Sequence, residues 1–200
     1  MGKLDETGLD MLTEIGTIGA GNATTSLSVL LDSKLSMKVP KVSFMKLDDF
    51  VESIGGAENI IAGVMSNITG DIEGFVLFAM DLRDARRLVN RLCGIEISKL
   101  DPFTELDLSA VQEIGNILIS SYLSSMETLI GMKMRPSNPM MTIDMAGAIL
   151  SFPAVVNSRE HDDVLRIESQ FEGEDLSIDG HIMMISDSNS YKIIHKKLGL

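Results

Sequence analysis

Two hundred residues with a 44% hydrophobic fraction can build a packed core, and the formal net charge of -12 makes the chain acidic. Nucleic acid and anionic membrane surfaces reward Lys and Arg, so neither is an expected partner, and no apolar run approaches the roughly 20 residues of a membrane span. The single cysteine, Cys93, precludes an internal disulfide, and the opening Met-Gly-Lys-Leu-Asp-Glu has no apolar stretch behind a basic start, so a cytoplasmic protein without a signal peptide is expected.

Residues 5–31 have helical periodicity and carry a polar skeleton. Asp10, Glu14 and Thr17 are spaced by four and three, which sets them on one helical face. Twenty-two residues then separate Thr17 from Pro40. Gly16, Gly19 and Gly21 interrupt the same helix, each at about 1 kcal/mol against Ala. Phosphate-cradling loops follow a strand and open a helix, and nothing strand-like precedes Gly16. The better reading is that small residues let this helix approach a neighbour closely. Most of the 14 methionines read as core filler, and Met11, three residues before Glu14, is the one placed to touch a partner. Strands are predicted near 36–47, 59–68 and 71–80, with turns at Gly55-Gly56 and Gly70-Asp71, and a helix near 82–93 closes the first half. Arg83, Arg86, Arg87 and Arg91 make that helix basic, which reads as a solvated face paired with neighbours such as Asp84.

The second half repeats the first. A helix over 104–130 opens with Thr104 and Asp107 in a capping-box arrangement and with Phe103 and Leu108 at staple positions. It carries Ser109, Glu113 and Asn116 at the same spacing, ninety-nine residues on, and again twenty-two residues separate Asn116 from Pro139. Strands are predicted at 134–143, 163–171 and 177–186, and a helix at 188–198. Met145–Val156 stays open between helix and strand, because Pro153 interrupts an apolar run either could claim. The segment Asp71–Met80 resembles Ser177–Ser186 at an offset of 106, so about seven extra residues are expected in the acidic loop Asn157–Asp163. Neither half covers a sheet of its own. The prediction is one α+β domain of two repeats, about 1–98 and 99–200, each α-β-β-β-α, around a shared antiparallel sheet with the motif helices side by side.

Other chemistry is sparse. His161, His181 and His195 make no metal spacing, and the adjacent carboxylates Asp48-Asp49 and Asp162-Asp163 read as solvated, so no metal site is expected. No nucleophile motif of the Gly-x-Ser-x-Gly type occurs. The duplicated Glu with its polar neighbour is the feature that offers chemistry.

At these residues the sequence resembles the CheC family of chemotaxis phosphatases, which includes CheX and the catalytic part of FliY. The family pattern is Asp or Ser, three residues, Glu, two residues, Asn, and a Pro twenty-two further on. Glu14-Ile-Gly-Thr-Ile-Gly-Ala-Gly-Asn22-Ala, Glu113-Ile-Gly-Asn116-Ile-Leu and the hairpin Thr69-Gly-Asp-Ile-Glu-Gly74 carry the resemblance, which extends over almost the whole chain. No flagellar-switch module follows residue 200, which makes CheC a closer match than FliY.

The resemblance implies hydrolysis of the aspartyl phosphate on the response regulator CheY. The regulator would supply Mg²⁺ and an active-site Lys, and the phosphatase would need no cofactor of its own. Asn116 would hold a water in line with phosphorus, since a side-chain amide can accept a water proton, and Glu113 would pair with the regulator's Lys. Glu14 would dock in the same way at the first site. There Thr17 stands where the family has Asn, and its hydroxyl is shorter than a carboxamide, so the second site is expected to carry the activity. Asn22 is no substitute, lying about 80° around the helix from Glu14. Asp10, Ser109, Pro40 and Pro139 are expected to dock or frame the partner. CheD is implied as a second partner that raises activity, and a monomer is implied because one chain already holds two motif copies. The alternative function is a non-enzymatic module that sequesters phosphorylated CheY and signals through CheD.

Overall fold

The run Phe75–Met80 is buried at every position, which requires cover on both faces of its strand. The computed structural model, which describes residues 6–94, 101–157, 163–174 and 176–197, provides that cover. The first half contains α1 (Glu6–Leu30), β1 (Ser36–Met37), β2 (Lys41–Lys46), α2 (Leu47–Ser53), β3 (Ile60–Gly70), β4 (Gly74–Asp81) and α3 (Leu82–Cys93). The second contains α4 (Glu105–Met126), β5 (Met134–Pro136), β6 (Met140–Met145), α5 (Ala146–Asn157), β7 (Asp163–Glu172), β8 (Ser177–Ser186) and α6 (Ser188–Lys197). Val76, Phe78 and Met80 of β4 point into a core shared with α1, α3, α4 and α6. Phe75, Leu77 and Ala79 point the other way, against Phe50 and Ile54 near α2 and Ala146, Ile149 and Leu150 of α5. Period two thus splits one strand between two cores.

Three elements differ from the sequence reading. Residues 36–47 and 134–143 are each broken in two, with Pro40 and Pro139 immediately before the second pieces. Proline has no N–H for a ladder, so a strand resumes after it rather than through it. Residues 47–53 form the unpredicted helix α2, which makes each repeat α-β-α-β-β-α once the broken strand is counted as one. Its seven residues fall short of two turns, and Phe50, fully buried, supplies about 1.5–3 kcal/mol to hold it. Asp48 and Asp49 lie in its first turn, where carboxylates complement the helix dipole. The open segment resolves as helix α5, running through Pro153. In the acidic loop, residues 158–162 lie outside the described residues.

All eight strands form one antiparallel sheet in the order β1-β7-β8-β4-β3-β5, with β2 also pairing β7 and β6 also pairing β3. The β4–β8 register sets Leu77 opposite Met183, Gly74 opposite Ser186 and Met80 opposite Gly180. At the offset of 106, Met183 is the counterpart of Leu77, so a pseudo-twofold axis passes between these two residues. The outer strands are exchanged: β1 and β2 of the first half pair with β7, and β5 and β6 of the second pair with β3. Each half completes the other's sheet.

The duplicated motif as candidate active site

Helices α1 and α4 lie against each other on the sheet. Gly19 faces Tyr122 so closely that an added Cβ would come 2.5 Å from the ring, and Ser125 Oγ donates to the Ile15 carbonyl at 3.1 Å. The order of these contacts makes the pair antiparallel. Tyr122 reaches beneath α1, where its hydroxyl bonds Ser169 Oγ at 2.5 Å, and burial pushes its phenol up to about 12. Followed along the pair, Glu113 lies opposite a point on α1 about thirteen residues beyond Glu14. At 1.5 Å per residue the two motifs are therefore about 20 Å apart along the helix axis. They stand at opposite ends of one layer.

The second motif rests on a firmly started helix. Thr104 N–H donates to Asp107 Oδ2 at 2.7 Å and Asp107 N–H to Thr104 Oγ1 at 3.3 Å, the reciprocal capping box expected at this position. Val111, Ile114 and Leu118 turn into the core, which leaves Glu113 exposed and Asn116 half-buried on the outer face. Among the described residues, neither the Glu113 carboxylate nor the Asn116 amide has a hydrogen-bond or ion-pair partner. Ser109 is exposed, and its hydroxyl donates back to the Glu105 carbonyl at 2.8 Å. Pro139 is half-exposed.

The first motif has the same plan with different chemistry. Asp10, Glu14 and Thr17 are exposed on α1, but the Thr17 hydroxyl donates to the Thr13 carbonyl at 2.8 Å. It keeps only acceptor capacity for anything outside. Pro40 is buried, and an added Cβ on Gly16 would meet its ring at 2.9 Å and Val42 Cγ2 at 2.8 Å. Pro40 therefore supports the helix from beneath, in keeping with a residue that frames the first motif. Met11 is half-buried and packs on the main core. The close-packing reading of the glycines holds at Gly16 and Gly19, while Gly21 has nothing within 4 Å of an added Cβ.

Each motif has apolar neighbours that the sequence reading passed over. Leu106 is 67% exposed and lies seven residues before Glu113, two turns along the same face, while Met140, beside Pro139, is 55% exposed. Val39, beside Pro40, is 73% exposed. The signal was available for Leu106, whose spacing matches the motif. For Val39 and Met140 it was not, because exposure there depends on how the broken strands sit at the sheet edge.

Much of the basic face of α3 is engaged locally. Arg83 pairs with Asp81 at 3.3 Å, Arg87 with Asp84 at 3.1 Å, and the Arg86 guanidinium stacks 4.5 Å over Phe103, which agrees with a paired face. Among the described residues no group of three or more His, Cys, Asp or Glu side chains could hold a metal ion, and His161 and Asp162 lie outside them. No described helix is long and apolar enough to cross a membrane.

The model of the CheC-like family matches residues 8–44 and 106–141, two segments that each enclose one motif from its first polar residue to its proline. At both motifs the chain is similar to the CheC-like family. The CheY-P phosphatase CheC of Bacillus subtilis (strain 168) is 28% identical over 98% of this chain and 96% of its own. The crystal structure of Thermotoga maritima FliY is 25% identical and superposes with a TM-score of 0.76 over 98% of each chain. A CheX-CheY-BeF3-Mg complex from Borrelia burgdorferi shares the fold at a TM-score of 0.52 and 16% identity, over 86% of this chain and 98% of the compared chain. The fold is therefore that of the CheC-like proteins: helices on a curled antiparallel sheet.

Proposed function

We propose that this protein is a phosphatase for phosphorylated CheY and that the second motif performs the hydrolysis. The observation that carries the reading is the pair Glu113 and Asn116, one turn apart on a capped helix, with side chains unengaged by any described residue. An aspartyl phosphate is an acyl phosphate and is intrinsically labile, so the protein's task is to position water rather than to supply a nucleophile. The Asn116 amide oxygen accepts a hydrogen bond from the attacking water and holds the water oxygen in line with phosphorus. Glu113 pairs with a lysine of the regulator and fixes the angle of approach. Mg²⁺ sits on the regulator, and this chain contributes no ligand to it. Leu106 and Met140 give the docking surface an apolar border, and Ser109 lies between Leu106 and Glu113 on the same face. The full-length similarity to a CheY-P phosphatase supports this substrate, and CheD is the second partner by the same family relation.

At the first motif one observation favours binding without hydrolysis. Thr17 has no amide, and its hydroxyl proton is committed to Thr13. Glu14 there docks a regulator that the site does not turn over.

Stopped-flow decay of phosphorylated CheY, followed against the concentration of this protein, tests the assignment. The expected result is a decay rate that rises with concentration and saturates. A rate independent of concentration, with binding intact, would leave sequestration as the function. Titration with CheD is expected to give a complex and faster decay.

A further inference from the structure

In both motifs a glycine stands directly before the residue that faces the water: Gly16 before Thr17 and Gly115 before Asn116. Both glycines are buried in helix interiors, where glycine is unfavourable relative to Ala, so some gain must offset it. The gain is proximity. A Cβ on Gly115 would lie 2.6 Å from Val64 Cβ, 2.6 Å from Cγ2 and 2.8 Å from Cγ1. Val64 is fully buried on β3, between β4 (opposite Phe78) and β6 (opposite Met141), so its Cβ is fixed by a ladder on both sides. The strand cannot yield, and α4 sits where the bare Gly115 backbone meets it.

We infer that Gly115 is a positioning residue: its contact with Val64 sets the height of α4 on the sheet, and hence where the Asn116 amide holds the water. The inference rests on the proposed phosphatase reading. Any side chain at 115 lifts or slides α4 at the turn that carries Asn116. A misplacement of about 1 Å at a reacting geometry can cost on the order of 10²-fold in rate. Glu113 sits on a long flexible side chain that follows a small backbone shift, so docking survives while the water is misplaced. The loss therefore falls on the maximal rate and spares the half-saturating concentration. Gly21 is the contrast: it is exposed, with nothing within 4 Å of an added Cβ, and carries no such function.

The test compares four proteins in the CheY dephosphorylation assay: the unmodified chain, Gly115→Ala, Gly115→Ala with Val64→Ala, and Gly21→Ala. Binding of beryllofluoride-loaded CheY is measured in parallel. Gly115→Ala is expected to lose at least about tenfold in maximal rate, with affinity for the loaded regulator held within about twofold and Gly21→Ala at the unmodified rate. Val64→Ala removes two of the three close atoms but keeps the Cβ at 2.6 Å, so the double variant is expected to recover only part of the loss. If Gly115→Ala alone does not fold, the double variant, folded and turning over at an intermediate rate, gives the same support. A Gly115→Ala protein at the unmodified rate overturns the inference, as does one whose loss falls on the half-saturating concentration with the maximal rate kept. An unmodified chain that binds the loaded regulator and leaves its decay unchanged overturns the phosphatase reading instead.

Discussion

At one end of the helix pair, Glu14 is followed by a threonine whose hydroxyl proton goes to its own helix; at the other, Glu113 is followed by an asparagine whose amide bonds nothing among the described residues. The backbones beneath them are alike. Both helices press a glycine onto a strand, and both lead to a proline before an edge strand. The scaffold is alike at both ends, while two of the three polar side chains differ: Asp10 against Ser109 and Thr17 against Asn116. Under the proposed function, a scaffold without an amide fits a docking site rather than a hydrolytic one. Packing and chemistry can thus be separated within one molecule, because each end serves as the other's control.

The largest expected effect is at Asn116. Asn116→Ala leaves no carboxamide at the third position of either motif, and the decay rate of phosphorylated CheY is expected to fall on the order of 10²-fold. Glu113→Ala should lose a comparable amount, with a rise in the half-saturating concentration as the docking contact goes. Glu14→Ala is expected to cost much less, and Thr17→Asn to raise turnover by at most about twofold if the sites act independently. Abolition by Glu14→Ala with Asn116→Ala unaffected would invert the comparison and make Thr17 the competent residue.

Smaller effects probe how the halves differ away from the motifs. At the offset of 99, the counterpart of Tyr122 is Ala23, so the buried Tyr122–Ser169 bond exists once only. Tyr122→Phe leaves the Ser169 hydroxyl without that partner and should lower unfolding free energy by about 1–3 kcal/mol, read from denaturant midpoints. At the offset of 106, His181 stands where the first half has Phe75. Burial, and then the neighbouring Arg166 guanidinium, lower the His181 pKa below its ordinary 6.5. The unfolded chain then binds the proton more readily than the folded one. Stability from this group is complete above pH 6.5 and declines as the pH falls toward the lowered value. Melting temperatures measured from about pH 7.5 down to 5.5 should show a shallower decline for His181→Phe; an equal slope would mean that other groups set the acid sensitivity.

Much of this was legible in the residues, for identifiable reasons. The long helices and the β3–β4 and β7–β8 hairpins follow from local periodicity, and the capping box at Thr104 follows from two residues three apart. Helix α2 was not legible because seven residues with two adjacent carboxylates show no full helical period. Its stability comes from Phe50 entering a core built by distant strands. The strand exchange is equally hidden, since which edge β2 joins is a matter of register with residues more than a hundred positions away. For the candidate site, spacing placed Ser109, Glu113 and Asn116 on one face. It could not show that Pro40 is buried under Gly16, which depends on how β2 packs beneath α1, or that the two motifs stand about 20 Å apart, which depends on α1 running antiparallel to α4.

The exchanged strands also impose an order on synthesis. A chain emerging from its amino end at about 5–20 residues per second presents β2 long before β7 exists. Its Lys41–Lys46 edge waits for Asp163–Glu172, and β3 waits for Met134–Pro136 and Met140–Met145. A nascent first half therefore holds unfilled strand edges at β2, β3 and β4, and the sheet is not complete until β8 has been made. Proteins dominated by such distant pairings fold slowly, and unpaired edges on apolar sheets are where aggregation starts. The lysines at both ends of β2, Lys41 and Lys46, are exposed in the finished molecule, and charge of this kind on a waiting edge discourages pairing with the wrong chain.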